Sequence, residues 1–342
     1  MPVGGDVILD LLVGRGVLVP LGAFILVGVA VFAIASRLAR HANAIADATG
    51  LGRLWIGTVL LAASTSLPEL TVDVNAALLD AADIGVGDLM GSTLANMLVL
   101  ALLDLSSGRR PILDHVSPDH VLVGTLAVVL TAMAGAAIAS GGWGRIGHVG
   151  TETLLIVAVY LLGMRAVYRH TQPITPADRQ PLTDANRTLL RRGLAGIAIG
   201  AAGLMITAPL LVLSAEAVAV ESGLSETFVG TLLVGFTTSF PEIAATAAAV
   251  RLGALDLAVG NIFGSSVFNM CVLLAMDLAY VRGPVLAHVS QQHLLSAQLA
   301  VLAIALGMLG LLARRGPRLG VVRIESVLIV LTYAGAAWLL AS

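Results

Sequence analysis

The stretch GTVLLAASTSLPEL at residues 57–70 recurs 173 residues later as GTLLVGFTTSFPEI at residues 230–243. The similarity extends beyond these two stretches: aligned without a gap, residues 51–122 and 224–295 are identical at 30 of 72 positions. Both stretches carry a single acid, a Glu directly after a Pro, in otherwise apolar surroundings. An acid at the same place in both copies of an internal repeat indicates a structural and a functional role shared by the copies.

The composition is that of an integral membrane protein. Of the 342 residues, 58% are hydrophobic and only 12% are charged. Charged residues collect between long apolar segments, and apolar segments of about 20 residues are typical of transmembrane helices. We predict ten such segments, near residues 17–49, 54–79, 83–105, 117–139, 149–168, 193–222, 226–251, 255–280, 291–313 and 321–341.

A polar, Pro-containing stretch divides the chain into two halves. We predict a first five-helix repeat at residues 1–168, a linker at 169–192 and a second five-helix repeat at 193–342. Because five is odd, the second copy must enter the membrane in the opposite sense to the first. The predicted fold class is therefore an all-α integral membrane protein with ten transmembrane helices, arranged as two inverted five-helix repeats, a pattern typical of secondary transporters.

The basic residues predict the orientation in the membrane. The chain contains no Lys, and if its amino terminus is outside, all of its 19 Arg except Arg15, Arg145 and Arg282 fall on the cytoplasmic side. Cytoplasmic loops carry an excess of basic residues. We therefore expect a multi-pass protein of the cell (inner) membrane, with both termini outside and the linker in the cytoplasm.

The two repeated acids favour a cation site. Glu69 and Glu242 lie roughly midway along the second and seventh predicted spans, where an ionised carboxylate costs about 2.5–3.5 kcal/mol on insertion scales. In an inverted repeat, equivalent midplane positions converge, so we expect the two acids to approach each other. Two like charges in a dry site require either protonation or a bound cation. Neither copy offers an Arg within the core of the repeat, which favours the cation.

The surroundings of the two acids supply oxygen ligands. Pro68 and Pro241 each free a backbone carbonyl about four residues earlier, near Ser64 and Thr65 in the first copy. Hydroxyl groups and amide oxygens at matched positions add to the shell, and hard cations such as Na⁺ and Ca²⁺ prefer such oxygens. These side chains are Thr65, Ser66 and Asn96 in the first copy and Thr238, Ser239 and Asn269 in the second.

The paired TSxPE and GSxxxN motifs resemble the two alpha repeats of the cation/Ca²⁺ exchanger superfamily, which includes the sodium/calcium exchangers. The resemblance implies ten helices, with the second, third, seventh and eighth forming the ion site and the long first and sixth sliding across them to alternate access. Carried over by position, it implies an ion site at Glu69, Glu242, Thr65, Ser66, Ser92, Asn96, Thr238, Ser239, Ser265 and Asn269, with the backbone carbonyls of Ala62 and Gly235.

Asp73 extends this predicted site. It lies one turn beyond Glu69 on the same helix face, and its counterpart in the second copy is Thr246. It either adds a third charge to the ion site or lines the outer mouth of that site, or it occupies a hydrated position near the helix end. We include it among the candidate ligands. Asp88 likewise has a neutral counterpart, Asn261.

Two departures from the family pattern bear on the coupling ion. Both copies have Asn at the last position of GSxxxN, whereas an Asp there tends to mark potassium-dependent exchangers. The cation/proton exchangers typically carry an extra acid in a GNxxE motif, where this chain has GDLMGS and GNIFGS. The missing acid makes a proton-coupled exchanger a weaker interpretation than a sodium-coupled one, although Glu69 and Glu242 could themselves carry protons.

We therefore predict a secondary antiporter that exchanges Na⁺ for Ca²⁺ by alternating access, with an H⁺-coupled divalent-cation antiporter as the alternative. An intramembrane hydrolase is disfavoured because an inverted repeat gives no reason for one, and a passive channel because long apolar helices close the site. The expected partners are Ca²⁺, Na⁺, in the alternative H⁺, and the lipid bilayer. We expect no enzymatic activity, no cofactor, no nucleic acid and a protein that functions as a monomer.

Other polar residues also repeat. Asp104 and Asp277 lie two turns past the Asn pair, where they either guard the aqueous passages or cap helices. The motif HVSxxH occurs twice, at His115–His120 and His288–His293, and we expect residues of interfacial loops and helix starts there rather than a metal site.

Overall fold

The protein is almost entirely helical in the computed structural model, which describes residues 12–14, 16–108, 111–171, 183–222, 235–313, 318–319 and 322–341. The helices are α1 (Leu18–Thr49), α2 (Arg53–Thr65), α3 (Leu67–Leu78), α4 (Ala82–Ser106), α5 (His120–Ser140), α6 (Thr151–Thr171), α7 (Asp184–Ser222), α8 (Gly235–Thr238), α9 (Phe240–Arg251), α10 (Leu255–Ala279), α11 (Gln292–Leu312) and α12 (Ile324–Ala341). Two short antiparallel hairpins pair β1 (Arg145–Ile146) with β2 (Val149–Gly150) and β3 (Arg318–Leu319) with β4 (Val322–Arg323). Turns of 3₁₀ helix lie at Ile112–Asp114 and Val285–Ala287.

The helices include several long enough to cross a membrane. Within the described residues, seven helices have the length and apolar character of a span, and α2 with α3 would make an eighth if that bent pair is one span. The predicted segment 226–251 lies partly outside the described residues, and α12 is a shorter apolar helix. The all-helical membrane class is thus supported, while the count of ten spans in two inverted repeats stays a prediction.

Helices α2 and α3 are separated by a sharp break. Their axes differ by 46°, and Ser66 at the junction has φ −90° and ψ 7°, which is not α-helical. Ser239 lies at the equivalent junction between α8 and α9 with nearly the same angles, φ −79° and ψ 2°. In both copies a Pro follows in the first turn of the new helix, where its missing N–H costs no hydrogen bond.

The first and sixth predicted spans are longer than their neighbours. Helix α1 has 32 residues and α7 has 39, whereas α4, α5, α6, α10 and α11 have 21 to 25. The start of α7 at Asp184 lies within the region predicted as linker, because the polar run before residue 193 continues the helix rather than forming a loop.

Glycines on one face of α7 form the contact with α1. A methyl group added at Gly200 would meet Leu38 at 2.7 Å, and one added at Gly193 would meet Ile45 at 2.6 Å. Gly196 and Gly203 face His41 and Ile34 of α1 in the same way. Small residues at this spacing let membrane helices pack at close range.

A second glycine-lined contact joins α2 to α10. A methyl group at Gly57 would meet the Leu257 carbonyl at 2.5 Å, and one at Gly260 would meet the Leu54 carbonyl at 2.8 Å. Gly264 lies against Thr58 and Ala62. The backbone of α10, from the second copy, thus touches α2 of the first copy. Gly264 thus lets α10 pack closely against the Pro-containing helix pair of the first copy.

Two hydrophobic clusters surround these contacts. The larger one includes Leu89, Met97, Leu130, Phe263 and Ile304, from helices α4, α5, α10 and α11. The smaller one joins the long helices α1 and α7 to the alanine-rich face of α9. The molecule therefore consists of a central packed group and a pair of long helices lying against it.

The repeated Asp residues near the ends of α4 and α10 cap neighbouring loops. Asp104 accepts hydrogen bonds from the Leu113 backbone N–H at 3.0 Å and the Ser326 hydroxyl at 2.8 Å. Asp277 accepts them from the Val285 N–H at 2.7 Å and the Thr153 hydroxyl at 2.5 Å. Of the two sequence-based interpretations, capping is the one that the structure supports.

The two HVSxxH motifs tie the copies to each other. His120 lies 3.1 Å from Asp256, at the start of α10, and His293 lies 3.0 Å from Asp83, at the start of α4. Each Asp also accepts a backbone N–H of the motif at 2.6 Å, from Ser117 and Ser290 respectively. These His residues are therefore partners of carboxylates from the opposite copy.

Candidate functional site

The candidate site lies where the broken helix pairs of the two copies meet α4 and α10. Glu69 is in the first turn of α3 and Glu242 in the first turn of α9, and each residue is 1% exposed. The amino-terminal end of a helix carries partial positive charge, which stabilises a carboxylate there. The two carboxyl groups are close enough to interact electrostatically, as expected for the paired acids.

A hydrogen bond between the copies fixes one of these acids. The Ser66 hydroxyl, at the α2–α3 junction, donates to Oε1 of Glu242 at 2.9 Å. At the opposite junction the Ser239 hydroxyl donates to the Ser92 hydroxyl of α4 at 3.1 Å. The site is thus assembled from both copies, and each junction serine contacts a residue of the other copy.

Thr65 and Thr238 directly precede the two junction serines. Each contacts a residue of α10 or α4 that lies one helical turn before a predicted ligand. Thr238 donates to Oδ1 of Asp88 at 3.0 Å. The Thr65 hydroxyl lies 3.3 Å from Oδ1 of Asn261, and it also lies 3.1 Å from the Ala62 carbonyl. The Ala62 carbonyl additionally accepts the Ser66 backbone N–H at 3.0 Å. Gly235 is the first residue of α8.

Several buried oxygen atoms at this site have no protein partner. Among the described residues, both carboxylate oxygens of Asp73 and one oxygen each of Glu69, Glu242 and Asp88 lack a hydrogen bond. The same is true of Oδ1 of Asn96, the hydroxyl of Ser265 and the whole side-chain amide of Asn269. Buried polar atoms are nearly always paired in proteins, so a cluster of unpaired oxygens points to a bound ligand.

The chemistry of these oxygens fits a hard cation. Carboxylate, hydroxyl and amide oxygens are the ligands that Na⁺ and Ca²⁺ prefer. Within the described part of the chain, no cluster of three or more His, Cys, Asp or Glu is arranged to hold a metal ion. The neutral oxygens from Ser, Thr and Asn would therefore have to complete any coordination shell around the two Glu residues.

Asp73 is completely buried rather than hydrated. Its exposed fraction is 0%, and its carboxyl group interacts with that of Asp88 on the neighbouring α4. The interpretation of Asp73 as a hydrated residue near a helix end is therefore wrong. The reason is that α4 packs against this turn of α3: a methyl group added at Gly85 would lie 3.4 Å from the Asp73 Cα.

The sequence-based ligand set omitted Asp88, Asn261 and Thr246. Asp88 lies four residues before Ser92 in α4, and Asn261 lies four residues before Ser265 in α10, so each shares a helix face with a predicted ligand. This spacing was the signal that could have identified both. Thr246 accepts a hydrogen bond from the Asn261 side-chain amide at 3.0 Å.

A family model and several known proteins match most of this chain. A family model described as sodium/calcium exchanger protein matches residues 19–168 and again residues 192–341. The inner membrane protein YrbG of Escherichia coli strain K12 is 30% identical over 261 residues, which cover 73% of this chain and 77% of that protein. The putative antiporter CaxA of Alkalimonas amylolytica is 27% identical over 332 residues, which cover 93% of this chain and 98% of that protein.

A solved structure has the same fold. The sodium-calcium exchanger NCX_Mj, from crystals soaked with Na⁺ and Sr²⁺, superposes with a TM-score of 0.70 at 20% sequence identity. The match covers 94% of this chain and 98% of that chain. At this level of identity the likeness establishes the fold and leaves the ligands of this chain to its own residues.

Proposed function

Because this chain belongs to the sodium/calcium exchanger family, we propose that it is a secondary antiporter that exchanges Na⁺ for Ca²⁺ by alternating access. Members of this family are cation antiporters and not enzymes. In the proposed mechanism the ions bind near the middle of the membrane, at a site built on Glu69 and Glu242.

The observation that carries this proposal is the pair of buried acids. Glu69 and Glu242 face each other, are each 1% exposed and each retain one unpartnered carboxylate oxygen. No ion pair formed by the described residues includes either acid; the buried Arg323 instead pairs with Asp114 and Glu325. Two uncompensated carboxylates in a dry site are strongly unfavourable, and a divalent cation compensates both charges at once.

Exchange follows from competition for shared oxygens. Ca²⁺ takes six to eight oxygen ligands, and we propose that it uses both Glu carboxylates together with neutral oxygens. These neutral oxygens are the side-chain oxygens of Thr65, Ser66, Ser92, Asn96, Thr238, Ser239, Ser265 and Asn269 and the carbonyls of Ala62 and Gly235. Na⁺ ions would occupy overlapping subsets, so that Na⁺ and Ca²⁺ cannot be bound at the same time.

The long helices α1 and α7 are the moving part of the proposed mechanism. Helices α1 and α7 pack together through the glycines of α7, and they rest on an alanine-rich face of α9 that includes Ala244, Ala245, Ala248 and Ala249. A surface of methyl groups has few protrusions to hold the long helices in one position. We propose that α1 and α7 slide over this surface as one unit and open the site to one side of the membrane at a time.

The organisation in the membrane remains part of the proposal. We propose two inverted five-helix repeats at residues 1–168 and 193–342, with a cytoplasmic linker at 169–192 and both termini outside. The distribution of Arg residues supports this orientation. The Glu69–Glu242 site is made from residues within one chain, which is consistent with a functional monomer.

Flux measurements in proteoliposomes test the coupling ion. Vesicles loaded with Na⁺ should take up ⁴⁵Ca²⁺, and vesicles loaded with choline at a matched pH gradient should not. Uptake of equal size without Na⁺, driven by the pH gradient, would replace Na⁺ coupling with H⁺ coupling. Absence of Ca²⁺ movement under both gradients would contradict Ca²⁺ as the transported ion.

A further inference from the structure

A second pair of acids, the fully buried Asp73 and the half-buried Asp88, lies beside the Glu pair. Asp73 lies one turn beyond Glu69 on α3, and Asp88 lies on α4 across the short connection at residues 79–81. Asp73 is 0% exposed with both carboxylate oxygens unpartnered, and Oδ2 of Asp88 is also buried without a partner among the described residues. The two carboxyl groups contact each other, and no hydroxyl, amide or backbone N–H of the described residues satisfies these three oxygens.

The second copy has a different arrangement at the same positions. The residues equivalent to Asp73 and Asp88 are Thr246 and Asn261. The Asn261 side-chain amide donates to the Thr246 hydroxyl at 3.0 Å, so this pair is neutral and internally hydrogen-bonded. The second copy is thus neutral at these positions, whereas the first has two carboxyl groups that form no ion pair with the described basic residues. A purely structural role would be served by the neutral pair in both copies.

The acidic pair is connected to the main site. Thr238, a proposed ion ligand, donates its hydroxyl to Oδ1 of Asp88 at 3.0 Å. Its neighbour Ser239 contacts Ser92, which lies one turn after Asp88 on the same face of α4. Helices α3 and α4 approach closely here, since a methyl group added at Gly85 would lie 3.4 Å from the Asp73 Cα.

We propose that Asp73 and Asp88 form a second cation-binding site, which takes Na⁺ and lies between the Glu69–Glu242 site and the connection at residues 79–81. Its protein ligands are two carboxylates and the hydroxyl of Thr238. The two carboxyl groups are in hydrogen-bond contact with each other. When they share one proton, the pair carries a single negative charge, which a monovalent ion compensates. This inference rests on the proposed Na⁺/Ca²⁺ exchange, and it makes Na⁺ binding unequal on the two sides of the central site.

The second copy of the repeat shows which residues can be substituted for Asp73 and Asp88 in a test. The double variant Asp73→Thr with Asp88→Asn copies the neutral pair of Thr246 and Asn261 into the first copy. Simultaneous ²²Na⁺ and ⁴⁵Ca²⁺ fluxes in proteoliposomes give the number of Na⁺ ions moved per Ca²⁺ for wild type and variant. We expect the variant to move one Na⁺ fewer per Ca²⁺ and to need a roughly tenfold higher Na⁺ concentration for half-maximal exchange.

The outcomes separate this inference from the function on which it depends. Wild type without Na⁺-dependent Ca²⁺ flux would contradict the proposed exchange itself. Exchange by wild type, with an unchanged ion ratio and Na⁺ dependence in the variant, would overturn the second site alone. If the double variant does not fold, Asp88→Asn retains a side-chain oxygen for Thr238, and equilibrium binding of ²²Na⁺ to the purified protein gives the same comparison: loss of one Na⁺ supports the site, and an unchanged count overturns it.

Discussion

The Ser66 hydroxyl donates a 2.9 Å hydrogen bond to Oε1 of Glu242, so the first copy of the repeat holds the acid of the second. Both residues are 1% exposed or less. A hydrogen bond to a charged group in such surroundings contributes about 1.5–3 kcal/mol. The orientation of Glu242 toward the site therefore depends on the break between α2 and α3, because this break is where Ser66 lies.

Removing that hydroxyl should weaken ion binding. We expect Ser66→Ala to raise the dissociation constant for Ca²⁺ roughly tenfold, because Glu242 loses its positioning partner and the site loses an oxygen. Ser64→Ala is the matched control, since the Ser64 hydroxyl donates to the Leu60 carbonyl of its own helix at 2.6 Å. Equilibrium binding of ⁴⁵Ca²⁺ to the purified proteins measures both. Equal affinities for the two variants would contradict this role of Ser66.

The contact of Asp256 with His120 should stabilise the protein more than its counterpart does. Asp256 and His120 are 37% and 0% exposed, whereas Asp83 and His293 are 56% and 15% exposed, and exposed ion pairs contribute little. We expect Asp256→Asn to lower the stability by about 1–2 kcal/mol and Asp83→Asn by less. Apparent melting temperatures at one scan rate in detergent test the order. A larger decrease for Asp83→Asn would show that exposure does not govern these contacts.

Asp277 should act on stability and leave ion affinity unchanged. Its carboxylate accepts the Val285 and Gly150 backbone N–H groups, each at 2.7 Å, as well as the Thr153 hydroxyl. In Asp277→Asn one carboxylate oxygen is replaced by an amide NH₂ group, which cannot accept a hydrogen bond from these N–H and O–H donors. Each buried donor left without an acceptor costs about 1–3 kcal/mol. We expect a lower melting temperature, with Ca²⁺ affinity of the folded variant within about twofold of wild type. A residue that guards an ion passage would give the opposite pattern, with normal stability and altered flux.

Gly264 should not tolerate a side chain. A methyl group there would overlap the Thr58 carbonyl and lie 2.6 Å from the Thr58 Cα and 2.8 Å from the Ala62 Cβ. Overpacking of this kind typically costs about 1–3 kcal/mol, and here it would also displace the helix that carries Thr65 and Ser66. We expect Gly264→Ala to lose transport and melt earlier. The control Gly307→Ala meets its nearest neighbours at 3.5–3.6 Å and should resemble wild type. Transport by Gly264→Ala at the wild-type rate would mean that this close contact is dispensable.

The repeat made much of the fold predictable from the sequence. The lengths of the apolar segments and the polar stretches between them predicted the helices. The duplicated TSxPE motifs predicted the two buried acids. The polar start of α7 was assigned to the linker because hydropathy alone does not distinguish a helix that extends beyond the membrane from a loop. The spans that fall in residues not described, such as the beginning of segment 226–251, stay predictions.

The finer features of the site depend on contacts between the copies, which a linear pattern does not contain. The sequence left open whether Asp73, one turn beyond Glu69, is hydrated or part of the site, and only the packing of α4 against α3 shows that it is buried. Asp88 was known to lack an acidic counterpart but was not included in the site. Its role depends on Thr238, a residue 150 positions away, coming within 3.0 Å. The contacts of His120 and His293 with acids of the opposite copy arise for the same reason.

The most direct test of the Glu69–Glu242 site is ⁴⁵Ca²⁺ binding and Na⁺-driven ⁴⁵Ca²⁺ uptake by Glu69→Gln and Glu242→Gln. Glu152→Gln is the matched control, because Glu152 is also 0% exposed but accepts the Trp143 backbone N–H outside the site. We predict that either site variant loses both binding and uptake, while the control retains Ca²⁺ binding. Ca²⁺ binding at wild-type affinity by a folded Glu69→Gln or Glu242→Gln would contradict the central claim that this pair of acids holds the transported ion.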